Sequence, residues 1–232
     1  MFCPCCGRHF RKFLPYGAMK RPNVGCPRCD SAERHRLLML YLKNRTNLFS
    51  DNLSVLHFAP EYIFQKTFES MPNLDYISAD LDSPLAMVKM DITNILYEDN
   101  SFDVILCSHV LEHVVDDQKA MRELFRVLKP GGWAILGSPM DLNRDKTFED
   151  PSIVSPEDQI RTFGYPGHVR IYGRDYKERL EKAGFAVRVD SYVRELSPDT
   201  IKKYGLMREE DIYVCTKSKP KKINEDKITI HG

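Results

Sequence analysis

The strongest constraint on the fold is an alternation of short apolar segments with amphipathic segments after residue 52. The segments predicted as buried strands are 54–58, 75–79, 102–107 and 133–137. Residues 116–128 instead place their apolar side chains on one face of a helix. Such an alternation predicts an α/β fold with a mostly parallel, doubly wound sheet covered by helices on both faces. The ligand site of such a sheet lies at the carboxyl ends of its strands.

Two motifs within this pattern resemble a known family. Residues 102–114 read Phe-Asp-Val-Ile-Leu-Cys-Ser-His-Val-Leu-Glu-His-Val, and residues 128–133 read Leu-Lys-Pro-Gly-Gly-Trp. Together they resemble the class I S-adenosylmethionine-dependent methyltransferases, in particular the type 11 group, over about residues 53–215. The resemblance implies a Rossmann-like methyltransferase sheet and S-adenosyl-L-methionine as cofactor.

The first predicted strand departs from the family at the cofactor loop. The family has an acidic residue and a Gly-x-Gly turn here, whereas this chain has His57-Phe58-Ala59-Pro60-Glu61. Ala59 is small enough for close approach, and Glu61 supplies a carboxylate. A carboxylate suits the positive amino and sulfonium groups of the cofactor, whereas a phosphate-binding loop would need the opposite charge. We predict His57, Ala59 and Glu61 as cofactor-binding residues.

Three further cofactor contacts are implied by the resemblance. Asp80 ends the second predicted strand, where a carboxylate can accept hydrogen bonds from both ribose hydroxyls. Asp91 matches the family's acidic residue beside the adenine amino group, with a solvated carboxylate or helix cap as the alternative. Ser108 lies just past the strand at 102–107.

Two histidines are the candidates for contact with the methyl acceptor. Methyl transfer is accelerated mainly by aligning and desolvating the nucleophile, so a base is needed only when the acceptor is protonated at rest. His109 follows a buried strand, and His168 follows the polar segment 138–166, which we predict as a lid or a substrate loop. For His168, a loop salt-bridge network with Arg170 is the alternative. His113 is predicted to pack, because His109 and His113 alone offer too few ligands for a metal.

The N-terminal segment predicts a separate metal site. Cys3 and Cys6, and likewise Cys26 and Cys29, have C-x-x-C spacing, and four thiolates close a tetrahedral site. The pairs resemble the knuckles of zinc ribbons and rubredoxins. We predict structural zinc at these four cysteines, with iron or a redox dithiol pair as alternatives, and Cys5 as a spare thiol.

The predicted organisation is a four-cysteine zinc-binding module at 1–30, a connecting helix and linker at 31–52, a methyltransferase domain at 53–216 and a Lys-rich tail at 217–232. Residues 1–45 carry ten Lys and Arg against two acidic residues, whereas the remainder of the chain is acidic. No apolar run has the length of a membrane span and no secretory signal is recognisable, so we expect a cytoplasmic protein without membrane contact.

These features predict methyl transfer to an oxygen or nitrogen of a small-molecule or sugar-like acceptor. The basic, cysteine-rich head leaves methylation of a ribosomal RNA base as an alternative, with the head binding RNA. The missing glycines leave a non-catalytic binding module on a degenerate fold as a second alternative. The sequence carries no recognisable code for the acceptor or for the oligomeric state.

Overall fold

The computed structural model describes residues 1–17 and 20–219, so the predicted tail lies outside the described residues from residue 220 onward. The strands are β1 (Phe2–Cys3), β2 (Arg8–His9), β3 (Leu14–Tyr16), β4 (Arg21–Gly25), β5 (Leu53–Phe58), β6 (Leu74–Asp80), β7 (Val88–Lys89), β8 (Phe102–Ser108), β9 (Leu128–Gly137), β10 (Phe148–Glu149), β11 (Arg170–Ile171), β12 (Ala186–Asp190) and β13 (Ile212–Thr216). The helices are α1 (Glu33–Arg45), α2 (Tyr62–Glu69), α3 (Asp117–Val127), α4 (Pro156–Phe163), α5 (Tyr176–Lys182), α6 (Tyr192–Glu195) and α7 (Pro198–Tyr204).

A central sheet of seven strands organises the described residues, in the order β12-β13-β9-β8-β5-β6-β7. The strands from β5 to β9 run parallel, and β13 runs antiparallel between β9 and β12. The chain moves from β5 outward to β7 and then returns to β8 on the other side of β5. This reversal creates a switch point at the carboxyl ends of β5 and β8, where ligands of such sheets bind.

The two faces of the sheet bury separate apolar cores. Successive strand residues point to opposite faces, so Val55 packs in the core that contains α1 and α2, whereas Leu56 packs in the core that contains α3 and α5. The predicted mixed α/β sheet covered on both faces is therefore confirmed, and each predicted strand lies within an observed one.

One segment differs from the sequence predictions. β9 begins at Leu128 rather than at Trp133, and the Lys-Pro-Gly-Gly segment forms its first part instead of separating it from α3. The segment 138–166, predicted as a lid or a substrate loop, contains β10 and α4, and β10 pairs with β11, which lies beyond the segment. The role of this segment stays a prediction.

The N-terminal residues dock onto the body through the side chain of Arg36. This guanidinium is fully buried and donates to the carbonyl oxygens of Val24 and Ser31 in the N-terminal segment, at 2.7 and 2.6 Å. It also donates to the carbonyl oxygens of Tyr204 and Gly205, at 2.6 and 2.8 Å. One buried cation therefore joins the cysteine-rich head to the end of α7.

Candidate active site

A cavity of about 420 Å³ opens at the carboxyl edge of the sheet, at the switch point. Its floor includes Glu61 after β5, Ser108 and His109 at the end of β8, and Ser138 after β9. Further lining residues come from Arg21, from α1, from 135–142 and from 207–213. The predicted residues Glu61, Ser108 and His109 are thus brought together here, and the N-terminal helix closes the same cavity.

The turn after β5 keeps a left-handed backbone without glycine. Ala59 has φ of +47°, a conformation that costs an L-residue about 1–2 kcal/mol. Its N–H donates to the carbonyl oxygen of Ala79 at 2.9 Å, which ties the turn to β6. The sequence departure at this position therefore changes the side chain and leaves the backbone turn in place.

His57 lies behind this turn and orients Glu61. The ring is 2% exposed, with Nδ1 2.9 Å from the Tyr76 hydroxyl oxygen and Nε2 3.2 Å from Glu61 Oε2. Because the carboxylate can only accept, Nε2 carries the proton and the Tyr76 hydroxyl donates to Nδ1. His57 therefore positions the carboxylate and does not line the cavity.

Glu61 supplies a negative charge to the cavity. Burial opposes its ionisation, but the hydrogen bond from His57 and the electrostatic interactions with His57 and His35 outweigh burial and lower the pKa of Glu61. His35 Nε2 lies 3.7 Å from Glu61 Oε1. The carboxylate predicted for a positively charged ligand is thus ionised at neutral pH.

His35 makes the fold sensitive to acid. Burial, aided by the positive charge of Arg34, lowers the pKa of His35 to about 4. The unfolded chain binds this proton near pH 6.5, so between about pH 6.5 and 4 the unfolded state carries more protons and stability falls as the pH falls. We expect His35 alone to remove at most about 3 kcal/mol across that window. Urea unfolding at the two ends of the window measures this loss, and it should shrink in His35→Gln; an equal loss in both proteins would contradict it.

Asp80 and Asp91 lie outside the residues that line the cavity, at the ends of β6 and β7. Asp80 Oδ1 accepts from the N–H groups of Asp82 and Ser83, at 2.8 and 2.7 Å, so among the described residues only Oδ2 remains open to a ligand. Asp91 is exposed, and its Oδ1 accepts from Thr93 N–H at 2.8 Å. Their roles toward a cofactor stay predictions.

An apolar surface that the sequence analysis missed follows Asp80. Leu81, Leu85 and Met87 are each exposed by more than half. Exposed large apolar side chains grouped in one loop are typical of a binding surface. The sequence signal for this surface was the presence of three large apolar residues within seven positions of Asp80, the predicted ribose-binding carboxylate.

His109 adopts a strained backbone at the end of β8. Its φ is +57°, and its N–H donates to the carbonyl oxygen of Gly137 at 2.9 Å. Arg170, which is 2% exposed, secures the following loop by donating to the carbonyl oxygens of Leu111, Val114 and Val115. Strain held in place by surrounding contacts is characteristic of functional sites. Arg170 is thus part of a loop network, as the alternative interpretation of that segment predicted.

The side chains of His109 and His168 converge on one carboxylate. Glu112 Oε1 lies 3.3 Å from His109 Nδ1 and 4.0 Å from His168 Nε2, while Glu112 Oε2 accepts from Ser138 Oγ at 2.6 Å. Burial raises the pKa of Glu112, but the close approach of His109 and the hydrogen bond from Ser138 give a net lowering. His109 lines the cavity, whereas His168 is buried behind it and burial lowers its pKa.

Unsatisfied buried polar atoms concentrate at the cavity. Within the described residues, buried side-chain atoms without a hydrogen-bond partner are Arg34 Nε, His35 Nε2, Glu112 Oε1 and Asp211 Oδ1. Three of these residues line the cavity, and the fourth, Glu112, contacts His109 and Ser138 in its wall. Buried polar groups are rarely left unpaired in folded proteins, so this concentration indicates a site built for a polar ligand.

The charge of the lining favours a cation. Five carboxylates, those of Glu33, Glu61, Glu209, Glu210 and Asp211, face two guanidinium groups, those of Arg21 and Arg34. Burial raises the pKa of Glu210 among them. The cavity therefore suits a positively charged ligand better than a phosphate-rich one.

The four predicted cysteine ligands meet in the N-terminal segment. Sγ of Cys3 lies 3.6 Å from Sγ of Cys29, and Sγ of Cys6 lies 3.7 Å from Sγ of Cys26. Four sulfurs at about 2.3 Å from a tetrahedral zinc ion are about 3.8 Å apart, so the arrangement fits zinc. Cys5 is not in the cluster and donates to the carbonyl oxygen of His35 at 3.5 Å.

Sequence comparison identifies a methyltransferase domain in the middle of the chain. Residues 66–136 match the family described as a methyltransferase domain. The demethylmenaquinone methyltransferase of Clavibacter sepedonicus is 40% identical over 55 residues, which are 24% of this chain and 22% of that protein. The ubiquinone/menaquinone biosynthesis C-methyltransferase UbiE of Idiomarina loihiensis is 43% identical over 49 residues, 21% of this chain and 20% of that protein. This chain thus spans about a fifth of the length of these curated relatives.

Structure comparison gives the same class of fold. The YcgJ protein of Bacillus subtilis superposes with a TM-score of 0.54 at 16% identity, covering 80% of this chain and 100% of that one. A SAM-dependent methyltransferase of Archaeoglobus fulgidus has a TM-score of 0.51 at 16% identity, covering 81% and 95%. The Rossmann-like methyltransferase fold predicted from the two motifs is therefore confirmed, while these matches do not address the cysteine cluster.

None of the helices within the described residues combines the length and the apolar character needed to cross a bilayer.

Proposed function

We propose that the protein is an S-adenosylmethionine-dependent methyltransferase that acts on a small acceptor through a protic oxygen or nitrogen. The carrying observation is the cavity at the switch point, which is lined by both Glu61 and His109, with Glu112 beside His109. S-adenosylmethionine, when bound, would supply the activated methyl group. The methyltransferase domain match supports this cofactor.

The residues around the switch point fit the parts of that cofactor. Glu61 attracts the positive amino and sulfonium groups, Asp80 Oδ2 accepts from a ribose hydroxyl, and the exposed Leu81 offers an apolar surface to adenine. His109 faces the acceptor, with Nδ1 toward Glu112. In this proposal the ring receives the acceptor's proton, and Glu112 stabilises the resulting imidazolium.

A small acceptor is favoured over RNA by the charge of the cavity. Its five carboxylates would repel a phosphate backbone at the point where the methyl group is transferred. The ten basic residues at 1–45 are not all available to RNA, because Arg36 is buried and Arg21 pairs with Glu33 at 2.8 Å.

Incubation with methyl-labelled S-adenosylmethionine distinguishes these acceptors. The full chain is mixed with a low-molecular-mass metabolite extract or with total RNA, and label should enter the first and not the second. Magnetic resonance of the labelled product then shows whether the methyl group is on oxygen, nitrogen or carbon. The similarity to C-methyltransferases makes carbon the competing outcome. Label in RNA alone would overturn the proposed acceptor class.

Replacement of Asp80 by asparagine tests the cofactor contact. Asparagine keeps an oxygen for the turn bonds from Asp82 and Ser83 but removes the charge that binds ribose. We expect S-adenosylhomocysteine to bind roughly 1.5–3 kcal/mol more weakly, as for a hydrogen bond to a charged group. Calorimetry measures the change, with Asp82→Asn, an exposed neighbour, as the matched control. An unchanged dissociation constant would remove Asp80 from the site.

We also propose that Cys3, Cys6, Cys26 and Cys29 bind one structural zinc ion. Four protein ligands leave no open position, so this metal stabilises the head and takes no part in chemistry. Cys26→Ser should lose the zinc of this site and lower the unfolding temperature, because ligand binding and folding of the head are coupled. Cys5→Ser should retain the metal, since its thiol points to a backbone carbonyl. Metal analysis checks both, and equal zinc contents in these two variants would contradict the ligand set.

A further inference from the structure

A second cluster of metal-binding side chains lies beside the cavity, far along the chain from the cysteines. Glu112, His113 and His168 each offer one ligand atom, and these atoms lie within 4.8 Å of one another. Sequence spacing could not reveal the set, because the third member comes from a segment 55 positions later than His113. The fold therefore supplies the further ligands that His109 and His113 alone do not offer.

The carboxylate at the centre of the cluster lacks a partner on one oxygen. Glu112 is 1% exposed, and no hydrogen bond reaches its Oε1 within residues 1–17 and 20–219. Its Oε2 is fixed by Ser138 Oγ at 2.6 Å. A hydrogen-bonded second oxygen is the usual support of a carboxylate ligand, because it orients the first oxygen toward the metal.

The ring of His168 is oriented in the same way. Its Nδ1 lies 3.4 Å from the carbonyl oxygen of Phe163, which can only accept, so Nδ1 carries the ring proton. The lone pair of Nε2 then faces Glu112 Oε1 at 4.0 Å. Two acceptors that face each other in a buried position are destabilised unless a proton or a metal ion lies between them, and His109 Nδ1, 3.3 Å from Oε1, makes no hydrogen bond to it.

We propose that Glu112, His113 and His168 bind a divalent transition-metal ion. Two histidines and one glutamate are a ligand set of catalytic zinc sites, which keep a position open for water or substrate. Ligands of a tetrahedral ion at about 2.1 Å lie about 3.4 Å apart, whereas these atoms lie up to 4.8 Å apart, so the side chains must close by up to about 1.4 Å. His113 is exposed, and the centre of its ring lies 4.6 Å from that of His168. A Cβ at Gly167 would lie only 3.3 Å from His113 Nδ1, so glycine leaves room for the ring.

The location gives the ion access to the cavity. Ser138 and His109 contact Glu112 and also line the cavity wall, so a bound ion would place a Lewis acid at the end where the acceptor is expected. This inference goes beyond the proposed methyl transfer and does not depend on it, because metal binding is measured without any acceptor.

Calorimetric titration with Zn²⁺ tests the site. The full chain, with its cysteine cluster already zinc-loaded, should bind one further ion per chain. His113→Ala removes an exposed ligand without opening the core, and Glu112→Gln removes the charge at the centre. We expect both to weaken the second binding event by at least about 100-fold, since each removes a direct ligand and loss of outer-shell partners alone costs roughly 10–100-fold. His9→Ala, an exposed histidine in the head, is the matched control.

Two results would overturn the inference. One is saturation at a single ion per chain even in excess Zn²⁺, with that ion lost in Cys26→Ser. The other is a second ion that binds equally well to the wild type, His113→Ala and Glu112→Gln, since it must then use other ligands. Failure of the methyl-transfer assay would leave these binding results unaffected, so the two proposals fail separately.

Discussion

Replacing His109 by asparagine should lower the rate of methyl transfer by roughly 10²- to 10⁴-fold, the usual contribution of a positioned general base. Asparagine tolerates the left-handed backbone at this position, φ +57°, better than alanine does, so the loop after β8 is retained. Its amide cannot accept the acceptor's proton at neutral pH. The measurement is the single-turnover rate with the acceptor identified by labelling.

Two controls make this result specific. The affinity for S-adenosylhomocysteine should stay unchanged in His109→Asn, and His9→Ala, far from the cavity, should keep the full rate. The wild-type rate should also fall at acid pH, because only the neutral imidazole accepts a proton. Near-normal turnover would leave alignment alone as the mechanism. Loss of cofactor binding would instead make His109 structural. The same assay on His168→Ala tests the second predicted histidine.

Replacing Arg36 by methionine should destabilise the protein by about 3–5 kcal/mol, because hydrogen bonds to a charged group are each worth about 1.5–3 kcal/mol and the gain from no longer burying the charge offsets part of their loss. The substitution leaves four carbonyl oxygens without their donor, two in the N-terminal segment and two at the end of α7. It also removes the guanidinium that lies 4.1 Å from the centre of the Phe13 ring. Denaturant unfolding measures the loss.

Arg21→Met is the matched control for Arg36. Arg21 pairs with Glu33 on the same face of the head, but its side chain is 46% exposed, so we expect a loss of less than about 1 kcal/mol. Similar losses in the two variants would show that the buried guanidinium does not hold the head to the body. Because α1 lines the cavity, Arg36→Met should also weaken acceptor binding under conditions in which the central sheet is still folded.

The fold was largely predictable because its signals are local. The strand at Leu53–Phe58 and the helix at Asp117–Val127 follow from apolar periodicity, and the cysteine cluster follows from paired spacing. The predicted helix beginning near residue 31 is also observed, as Glu33–Arg45. The boundaries proposed for separate units stay predictions, since no observation tests where one unit ends.

The candidate site was less predictable because its contacts are long-range. Nothing local marks Arg36 as buried, since a basic segment ordinarily forms a solvated surface. Glu112 lies in a recognised motif, but its role depends on His168 and Ser138, which only the fold brings near it. His57 lies in the cofactor turn as predicted, yet its place under Tyr76 makes it a positioning residue. The absence of glycine at position 59 suggests an altered cofactor loop, but Ala59 adopts a left-handed backbone without glycine.

A crystal structure with S-adenosylhomocysteine tests the central claim most directly. We expect the ligand at the carboxyl ends of β5, β6 and β8, with its amino group near Glu61, a ribose hydroxyl on Asp80 Oδ2 and its sulfur toward His109. The space beyond the sulfur should be the cavity closed by α1. A ligand bound elsewhere, or no ligand at saturating concentration, would contradict the account and leave the fold as a binding module without methyl transfer.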